Sequence, residues 1–153
     1  RSANSIPRDL DLFEYNGQIY CGVTPSKELL ALRGKTTNKL PQTGELVIDL
    51  KGSTEITFSN SLGEQVVMEY DAVKNMFSMD RTRSYASFSE AFPCVTTAPT
   101  YGAVKQLRIF IDHCSIEAFD AEGRMAMTNL VFPTEPYTQI KVTNQAKVTI
   151  YPF

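Results

Sequence analysis

The sequence contains no tryptophan, a single histidine and only three cysteines, and these scarcities exclude several kinds of site. One histidine does not complete a histidine-rich metal site, and Cys21, Cys94 and Cys114 lack the Cys-x-x-C spacing of zinc and redox motifs. We therefore predict three unpaired thiols and expect neither a metal nor another cofactor. An Asn-x-Ser/Thr sequon is also absent, so the sequence offers no glycosylation site.

The sequence also lacks an excess of either charge and any long apolar run. Its 15 Lys and Arg residues against 17 Asp and Glu residues give a net charge of −2 at pH 7, without a basic cluster. We therefore expect no nucleic acid and no membrane as partner, and no segment approaches the roughly 18 apolar residues of a membrane span. Because the chain starts at Arg1, without methionine or a signal-peptide profile, we interpret it as a fragment of a larger protein.

The chain does carry a hydrophobic pattern with a period of two. Apolar residues alternate with other residues in residues 45–50, 107–111 and 147–151. Such alternation is typical of β-strands, because it places one set of side chains in the core and the other set outward. In the first of these runs it predicts that Leu46 points inward and that Glu45 points outward.

Turn residues separate the short runs. Asn16-Gly17 is a strong hairpin signal and predicts that residues 10–15 pair with residues 18–23. Evidence for helix is thin, and residues 26–33 predict at most one helical turn or a short helix. Residues 81–102, which are rich in serine, threonine and proline, predict a long connection between strands.

Length and composition complete the prediction of the fold. The chain has 153 residues, of which 42% are hydrophobic and 21% charged, which is typical of one globular domain. We expect a single domain over residues 1–153. Short strands with turn signals between them predict an all-β protein, an antiparallel β-sandwich of two sheets with a jelly-roll or concanavalin-like arrangement and little or no helix.

Residues 107–133 carry a more specific pattern. A strand ends at an aspartate, a tight turn follows, and then come Ser-x-Glu-x-Phe, a glycine turn and Phe-Pro. Two shorter motifs precede it, an Ile-Pro-Arg-Asp-Leu segment and an Asp-Arg pair. The residues concerned are Pro7, Arg8, Asp80, Arg81, Asp112, Ser115, Glu117, Phe119, Gly123, Phe132 and Pro133. The set resembles the C-terminal module of glycoside hydrolase family 32, which includes invertases, inulinases, levanases and sucrose-6-phosphate hydrolases. Asp9, His113 and Cys114 depart from the usual residues of that family.

The resemblance implies a particular role for the chain. The family carries its catalysis on an N-terminal five-bladed propeller, in Asn-Asp-Pro-Asn, Glu-Cys and Arg-Asp-Pro blocks, and this sequence contains none of the three. The chain is therefore expected to hold no catalytic residues and to be an accessory module whose partner is its own N-terminal propeller. The resemblance also favours a periplasmic or extracellular location, and contacts in a homo-oligomer are a further expectation.

Asp112 and Glu117 form the nearest approach to an independent pair of catalytic carboxylates, since a turn separates them. The more common arrangement is that Asp112 accepts a backbone N–H in its own turn and that Glu117 pairs with an arginine. For Asp80 and Arg81 we expect an ion pair near a strand end. Both interpretations assign these residues a structural role.

A carbohydrate-binding module that tethers its enzyme to fructan is the alternative function. Tyrosines near strand ends are candidates for stacking on sugar rings, namely Tyr15, Tyr20, Tyr70, Tyr85, Tyr101 and Tyr137. Without tryptophan we expect fructan affinity to be weak. For the accessory role, the expected contact surface with the propeller comprises Ile6 and Pro7 together with Phe88 and Phe92, which lie in a polar, loop-like stretch.

Overall fold

The structure is a computed structural model that describes residues 4–84, 90–92 and 94–153. Its described residues form twelve strands and one 3-10 helix, Lys27–Leu32. The strands are β1 Arg8–Tyr15, β2 Gln18–Pro25, β3 Gly44–Asp49, β4 Thr54–Ser59, β5 Gln65–Asp71, β6 Met76–Asp80, β7 Val95–Pro99, β8 Gln106–Asp112, β9 Ser115–Asp120, β10 Ala126–Leu130, β11 Gln139–Val142 and β12 Lys147–Pro152. No helix in these parts of the chain is long and apolar enough to cross a membrane.

Ten of the strands form two five-stranded antiparallel sheets that pack face to face. The front sheet has the order β10-β9-β8-β3-β12, and the back sheet has the order β11-β4-β5-β6-β7. The core between them includes Leu46, Phe58, Met68, Phe77 and Ile109, all with 0% exposure. The antiparallel β-sandwich predicted from the alternating pattern is therefore confirmed.

One predicted connection is wrong in part. Residues 81–102 were expected to contain no strand, but Val95–Pro99 forms β7, which pairs with β6 from Val95 opposite Asp80 to Pro99 opposite Met76. This edge strand turns only Thr96 and Ala98 partly inward, and it ends in proline. Its apolar alternation is therefore too weak to identify from the sequence.

The predicted hairpin is confirmed in its register. Tyr15 pairs with Gln18 across Asn16 and Gly17, whose φ angles of 51° and 76° are those of a tight two-residue hairpin turn. β1 and β2 form a separate two-stranded sheet. The predicted short helix is also present, as the 3-10 helix that follows β2.

These first elements cover the outer face of the front sheet. We call residues 6–34 the N-terminal arm, because they lie against that face rather than within either large sheet. Leu29 of the arm packs with Phe110 and Phe119 of the sheet in a second hydrophobic cluster, which Ile6 and Val23 of the arm also contact. The centre of the front sheet, at Phe110 and Phe119, is thus also buried on its outer face.

Because the arm covers the outer face of the front sheet, the predicted exposure of Glu45 is wrong. Glu45 was expected to point to solvent, but its exposure is 0%. Alternation does place it on the face of β3 opposite Leu46, yet the arm closes over that face. The side chain is therefore directed away from the main core and is buried nonetheless.

Gly123 brings the hairpin close to the turn between β9 and β10. Its carbonyl oxygen accepts the Val23 N–H at 2.8 Å, and its φ of +80° lies in the left-handed region that favours glycine. A Cβ atom on Gly123 would lie 2.9 Å from Cγ2 of Thr24. Glycine is therefore needed here both for the turn and for the contact with β2.

A substitution of Gly123 should separate these two requirements. We expect Gly123→Ala to destabilise the chain by about 1–3 kcal/mol, because it adds a steric contact to an unfavourable φ. Gly63→Ala is the matched control, since Gly63 has a φ of +81° and no neighbour within 4 Å of the added Cβ. Urea unfolding of both variants measures the difference, and equal losses would show that contact with the hairpin contributes nothing.

Candidate functional site

The outer face of the front sheet holds two glutamates on either side of a phenylalanine. Glu45 lies opposite Phe110, Phe110 lies opposite Glu117, and Glu117 lies opposite Thr128. The four side chains form one row across β3, β8, β9 and β10. Each glutamate in this row binds an arginine of the N-terminal arm, so the row attaches the arm to the sandwich.

Glu117 joins several of the residues selected from the sequence. Its Oε2 accepts hydrogen bonds from Arg8 Nη2 at 2.7 Å and Thr128 Oγ1 at 2.9 Å, and its Oε1 accepts the Ile6 N–H at 2.9 Å. Arg8 also lies over the ring of Phe119, 5.1 Å from its centroid. The Pro-Arg motif and the Ser-x-Glu-x-Phe motif are therefore two halves of one contact.

Glu45 makes the second attachment. Arg33 donates two hydrogen bonds to its carboxylate, both of 2.8 Å, and Arg108 donates a third from the neighbouring strand. Arg33 also stacks on Tyr151, at 4.3 Å from the ring centroid. Burial alone would raise the pKa of Glu45, but the hydrogen bonds and positive charges of Arg33 and Arg108 outweigh it and hold the pKa below its usual value.

Asp112 and Glu117 are placed as the structural interpretation expected. Asp112 Oδ1 accepts the N–H of His113 at 2.7 Å within the β8–β9 turn, and Glu117 is paired with Arg8. A nucleophilic carboxylate needs an oxygen that faces the substrate. Both oxygens of Glu117 are occupied by donors of the chain, and its side chain is 4% exposed.

Asp80 and Arg81 do not form the ion pair that was expected. Asp80 Oδ1 accepts hydrogen bonds from the backbone and the hydroxyl of Thr82, at 2.8 and 2.7 Å, and so closes the turn after β6. Arg81 extends the other way, where it donates to Leu130 O at 2.9 Å and to the sulfur of Cys94. Adjacent residues at the end of a strand point to opposite sides, which explains the separation.

Arg81 also connects two of the predicted aromatic residues. Its guanidinium lies 4.2 Å from the ring centroid of Phe92, and Phe92 packs against Phe132 at 5.5 Å between centroids. Of the four residues expected at the contact with a propeller, Phe92 is thus half-buried against its own domain, Ile6 contacts the second hydrophobic cluster and Pro7 is exposed. Phe88 lies outside the described residues.

The candidate tyrosines divide into two groups. Tyr15, Tyr20 and Tyr101 meet Phe13 in a cluster with ring centroids 4.5 to 5.6 Å apart, which we call the aromatic cluster. Tyr70 is buried in the core, and its hydroxyl accepts the Val104 N–H at 2.9 Å. Tyr137 is buried as well, and burial raises its pKa well above the usual range. Tyr85 is outside the described residues.

Sequence reasoning did not identify the ion pair between Arg33 and Glu45, and it also missed three large apolar side chains on the hairpin. Leu10, Leu12 and Ile19 are 71%, 69% and 73% exposed. An available signal was the presence of leucine and isoleucine in a two-stranded ribbon, which has no core of its own to bury them. The three cysteines are unpaired, and Cys21 is exposed beside Leu12.

Replacement of Glu45 should affect both stability and its dependence on pH. Glu45→Gln should cost about 3–5 kcal/mol near neutral pH, because it leaves two arginines without their buried carboxylate. The pKa of Glu45 is lowered by folding, so its contribution is present above the unfolded pKa and is lost as pH falls through the folded pKa. The difference between wild type and variant should therefore shrink as the solution is acidified.

Urea unfolding at neutral pH and at about pH 3 provides this measurement. Glu69→Gln is the control, because Glu69 is exposed on β5 and should change stability by less than about 0.5 kcal/mol. A loss for Glu45→Gln that stays constant with pH would contradict the assignment of a buried, ionised Glu45.

Curated relatives match most of this chain, and the chain spans only a small part of them. The levanase of Bacillus subtilis is 29% identical over 160 residues, covering 87% of this chain and 24% of the relative. The sucrose-6-phosphate hydrolase of Vibrio alginolyticus is 30% identical over 135 residues, covering 84% and 27%. The chain thus spans about a quarter of the length of these relatives.

Solved structures share the fold. The exo-inulinase of Aspergillus awamori superposes with a TM-score of 0.77 at 21% identity, over 96% of this chain and 34% of that one. A GH32 β-fructofuranosidase of Bombyx mori gives a TM-score of 0.76 at 16% identity, over 97% and 32%. A family model described as "Glycosyl hydrolases family 32 C terminal" matches residues 24–152. The chain belongs to this family of glycosyl hydrolase family 32 C-terminal domains.

Proposed function

We propose that this chain is the non-catalytic accessory module of a glycoside hydrolase that acts on β-fructosides such as sucrose, levan or inulin. In this proposal it packs against an N-terminal five-bladed propeller and stabilises it. Membership of the family supports the assignment, as do the matched relatives, whose names include levanase and sucrose-6-phosphate hydrolase. The names of other relatives, extracellular exo-inulinases, support a location outside the cytoplasm.

One observation carries the proposal of a packing role, namely the exposed apolar face of the hairpin. Leu10 and Leu12 lie on the same face of β1, Cys21 is opposite Leu12, and Ile19 lies two residues from Cys21 on the same face of β2, opposite Glu14. The three large side chains are each about 70% exposed. Contiguous exposed apolar patches of this kind mark interaction sites. We therefore add Leu10, Leu12 and Ile19 to the proposed contact surface of Ile6, Pro7, Phe88 and Phe92.

The arm and the sandwich are proposed to form one unit over residues 1–153. The family model begins at residue 24, within β2, whereas the attachments of the arm begin at Ile6 and Arg8. Burial of the second hydrophobic cluster depends on the arm. Without the arm, Phe110, Phe119 and the two glutamates would face water, so the sandwich is expected to require it.

The lack of catalysis is also open to test. The isolated chain should release no reducing sugar from sucrose, levan or inulin, because it lacks the acidic blocks that the family resemblance implies for catalysis and because the oxygens of Glu117 are occupied by Arg8, Thr128 and Ile6. Turnover of roughly 1 per second or more that disappears in Asp112→Asn would contradict the proposal.

The packing role predicts different effects in the parent enzyme and in the isolated chain. Leu10→Ser and Leu12→Ser should destabilise the parent enzyme by about 1.5–3 kcal/mol each, because each removes apolar area buried at the contact. The isolated chain should melt nearly unchanged, since both side chains are already in water. Leu62→Ser serves as control, because Leu62 is 56% exposed in the turn after β4. Equal losses in parent and isolated chain would contradict the proposed contact.

A fructan-tethering module is the second candidate, and the aromatic cluster favours it. Phe13, Tyr15, Tyr20 and Tyr101 are all only partly buried, and aromatic rings are common platforms for sugars. Most of their contacts are with one another, which reduces the ring area open to a ligand. The two functions differ in affinity, because an isolated tether should bind soluble fructan with a dissociation constant in the micromolar range, whereas an isolated packing module should bind it weakly or not at all.

A further inference from the structure

Two cavities adjoin each other at the end of the sandwich where the β8–β9 turn lies. The first, of about 220 Å³, is lined by Tyr137, Pro133, Pro136, Gln42 and His113. The second, of about 240 Å³, is lined by Phe110, Phe153, Thr43, Ser115 and Glu117. Both are also lined by Ile111 and Asp112, so the turn separates them and Asp112 is common to the two. We call them the tyrosine cavity and the phenylalanine cavity.

The polar groups of the two cavities have unused hydrogen-bonding capacity. Asp112 uses Oδ1 for the His113 N–H, and its Oδ2 has no partner within the described part of the chain. The same holds there for the side chains of Gln42, Thr43, His113 and Ser115. These groups surround space that a ligand of this size can enter, and they offer both donors and acceptors.

The remaining walls are apolar and include flat rings. Phe110 and Phe153 lie 6.2 Å apart at an interplanar angle of 50°, and the ring of Tyr137 and two prolines line the other cavity. A sugar ring presents hydroxyl edges and apolar C–H faces, so it requires both kinds of wall. The tyrosine cavity has the volume of about seven water molecules and the phenylalanine cavity that of about eight, at about 30 Å³ each, which is suited to one ring in each.

Charge restricts the ligand further. Among the described residues, neither cavity is lined by lysine or arginine, whereas Asp112 lines both, so a phosphate or carboxylate would meet negative charge without a counter-ion from these residues. Glu117 is already paired with Arg8, so among the described lining residues Asp112 is the carboxylate with an oxygen free to accept hydroxyl hydrogen bonds. The ligand that these walls fit is uncharged.

We propose that the tyrosine and phenylalanine cavities are two adjacent subsites that bind two linked, uncharged sugar units, with Asp112 accepting hydroxyl hydrogen bonds from both. The identity of the units as fructosyl rests on the proposed function, whereas the two-subsite groove does not. The site excludes Leu10, Leu12 and Ile19 of the hairpin, but Ile6 of the proposed contact surface also lines the phenylalanine cavity, so the groove is tested on the isolated chain.

Titration of the isotope-labelled chain, followed by NMR, tests the groove. Difructosides with β-2,1 and β-2,6 linkages are expected to shift the amide signals of residues 111–115 with a dissociation constant of about 1 mM. Fructose alone should bind more weakly, because it fills one subsite. Fructose 6-phosphate should bind more weakly still, because its phosphate meets Asp112.

Variants of exposed residues locate the ligand. Asp112→Ala should weaken difructoside binding about tenfold. Its matched control is Asp11→Ala, because Asp11 is also exposed and also accepts the N–H of the next residue, at 2.8 Å, but lies away from both cavities. Gln42→Ala should reduce the affinity for difructoside towards that for fructose, and the exposed Gln139→Ala should leave it unchanged.

The possible outcomes test two claims separately, namely that the groove binds a disaccharide and that the sugar units are fructosyl. Saturable shifts with difructosides, lost in Asp112→Ala and retained in Asp11→Ala, support both the groove and its ligand. Binding of cellobiose without binding of difructosides supports the groove and contradicts the fructosyl identity, which would count against the proposed function. Absence of shifts with either class of disaccharide up to about 50 mM overturns the groove and leaves the packing role standing.

Discussion

The attachment of the N-terminal arm depends on two buried carboxylates on the outer face of the front sheet. Glu117 holds Arg8 and Glu45 holds Arg33, and the two glutamates flank Phe110 in one row. Ion pairs at such sites contribute little net stability relative to apolar residues, but loss of one partner is costly. Their main effect is positional, because each carboxylate accepts hydrogen bonds from only one arrangement of the arm.

This arrangement makes the two sheets of the sandwich unlike each other. The front sheet is covered on both faces, by the back sheet on one side and by the arm on the other. The outer face of the back sheet carries Glu69, Ser78 and Thr97, which are partly or fully open to solvent. The arm is therefore structurally part of the domain although β1 and β2 belong to neither large sheet. Its leucine face, in contrast, is exposed to solvent.

The sequence was most informative where structure is local. Alternation identified most strands, and Asn16-Gly17 gave the hairpin and its register, because side-chain periodicity and turn geometry are set by neighbouring residues. The predicted solvent exposure of Glu45 was wrong, because alternation indicates which face of the sheet a side chain occupies and not what covers that face. The separate uses of Asp80 and Arg81 were likewise decided by Leu130 and Cys94, which approach only in the folded chain. The family resemblance selected Arg8 and Glu117 as separate motif residues. They are 109 residues apart in the sequence, so their contact is visible only in the structure.

The two attachments also differ in when they become available during synthesis. Arg33 and Glu45 are 12 residues apart, whereas Arg8 and Glu117 are 109 residues apart. At about 5–20 residues per second, the ribosome delivers Glu117 roughly 5–20 s after Arg8. The end of the arm near Arg33 can therefore be fixed early, while its hairpin waits for β9. During that interval Arg8 lacks its carboxylate partner, so the hairpin stays undocked until the strand that carries Glu117 has been synthesised.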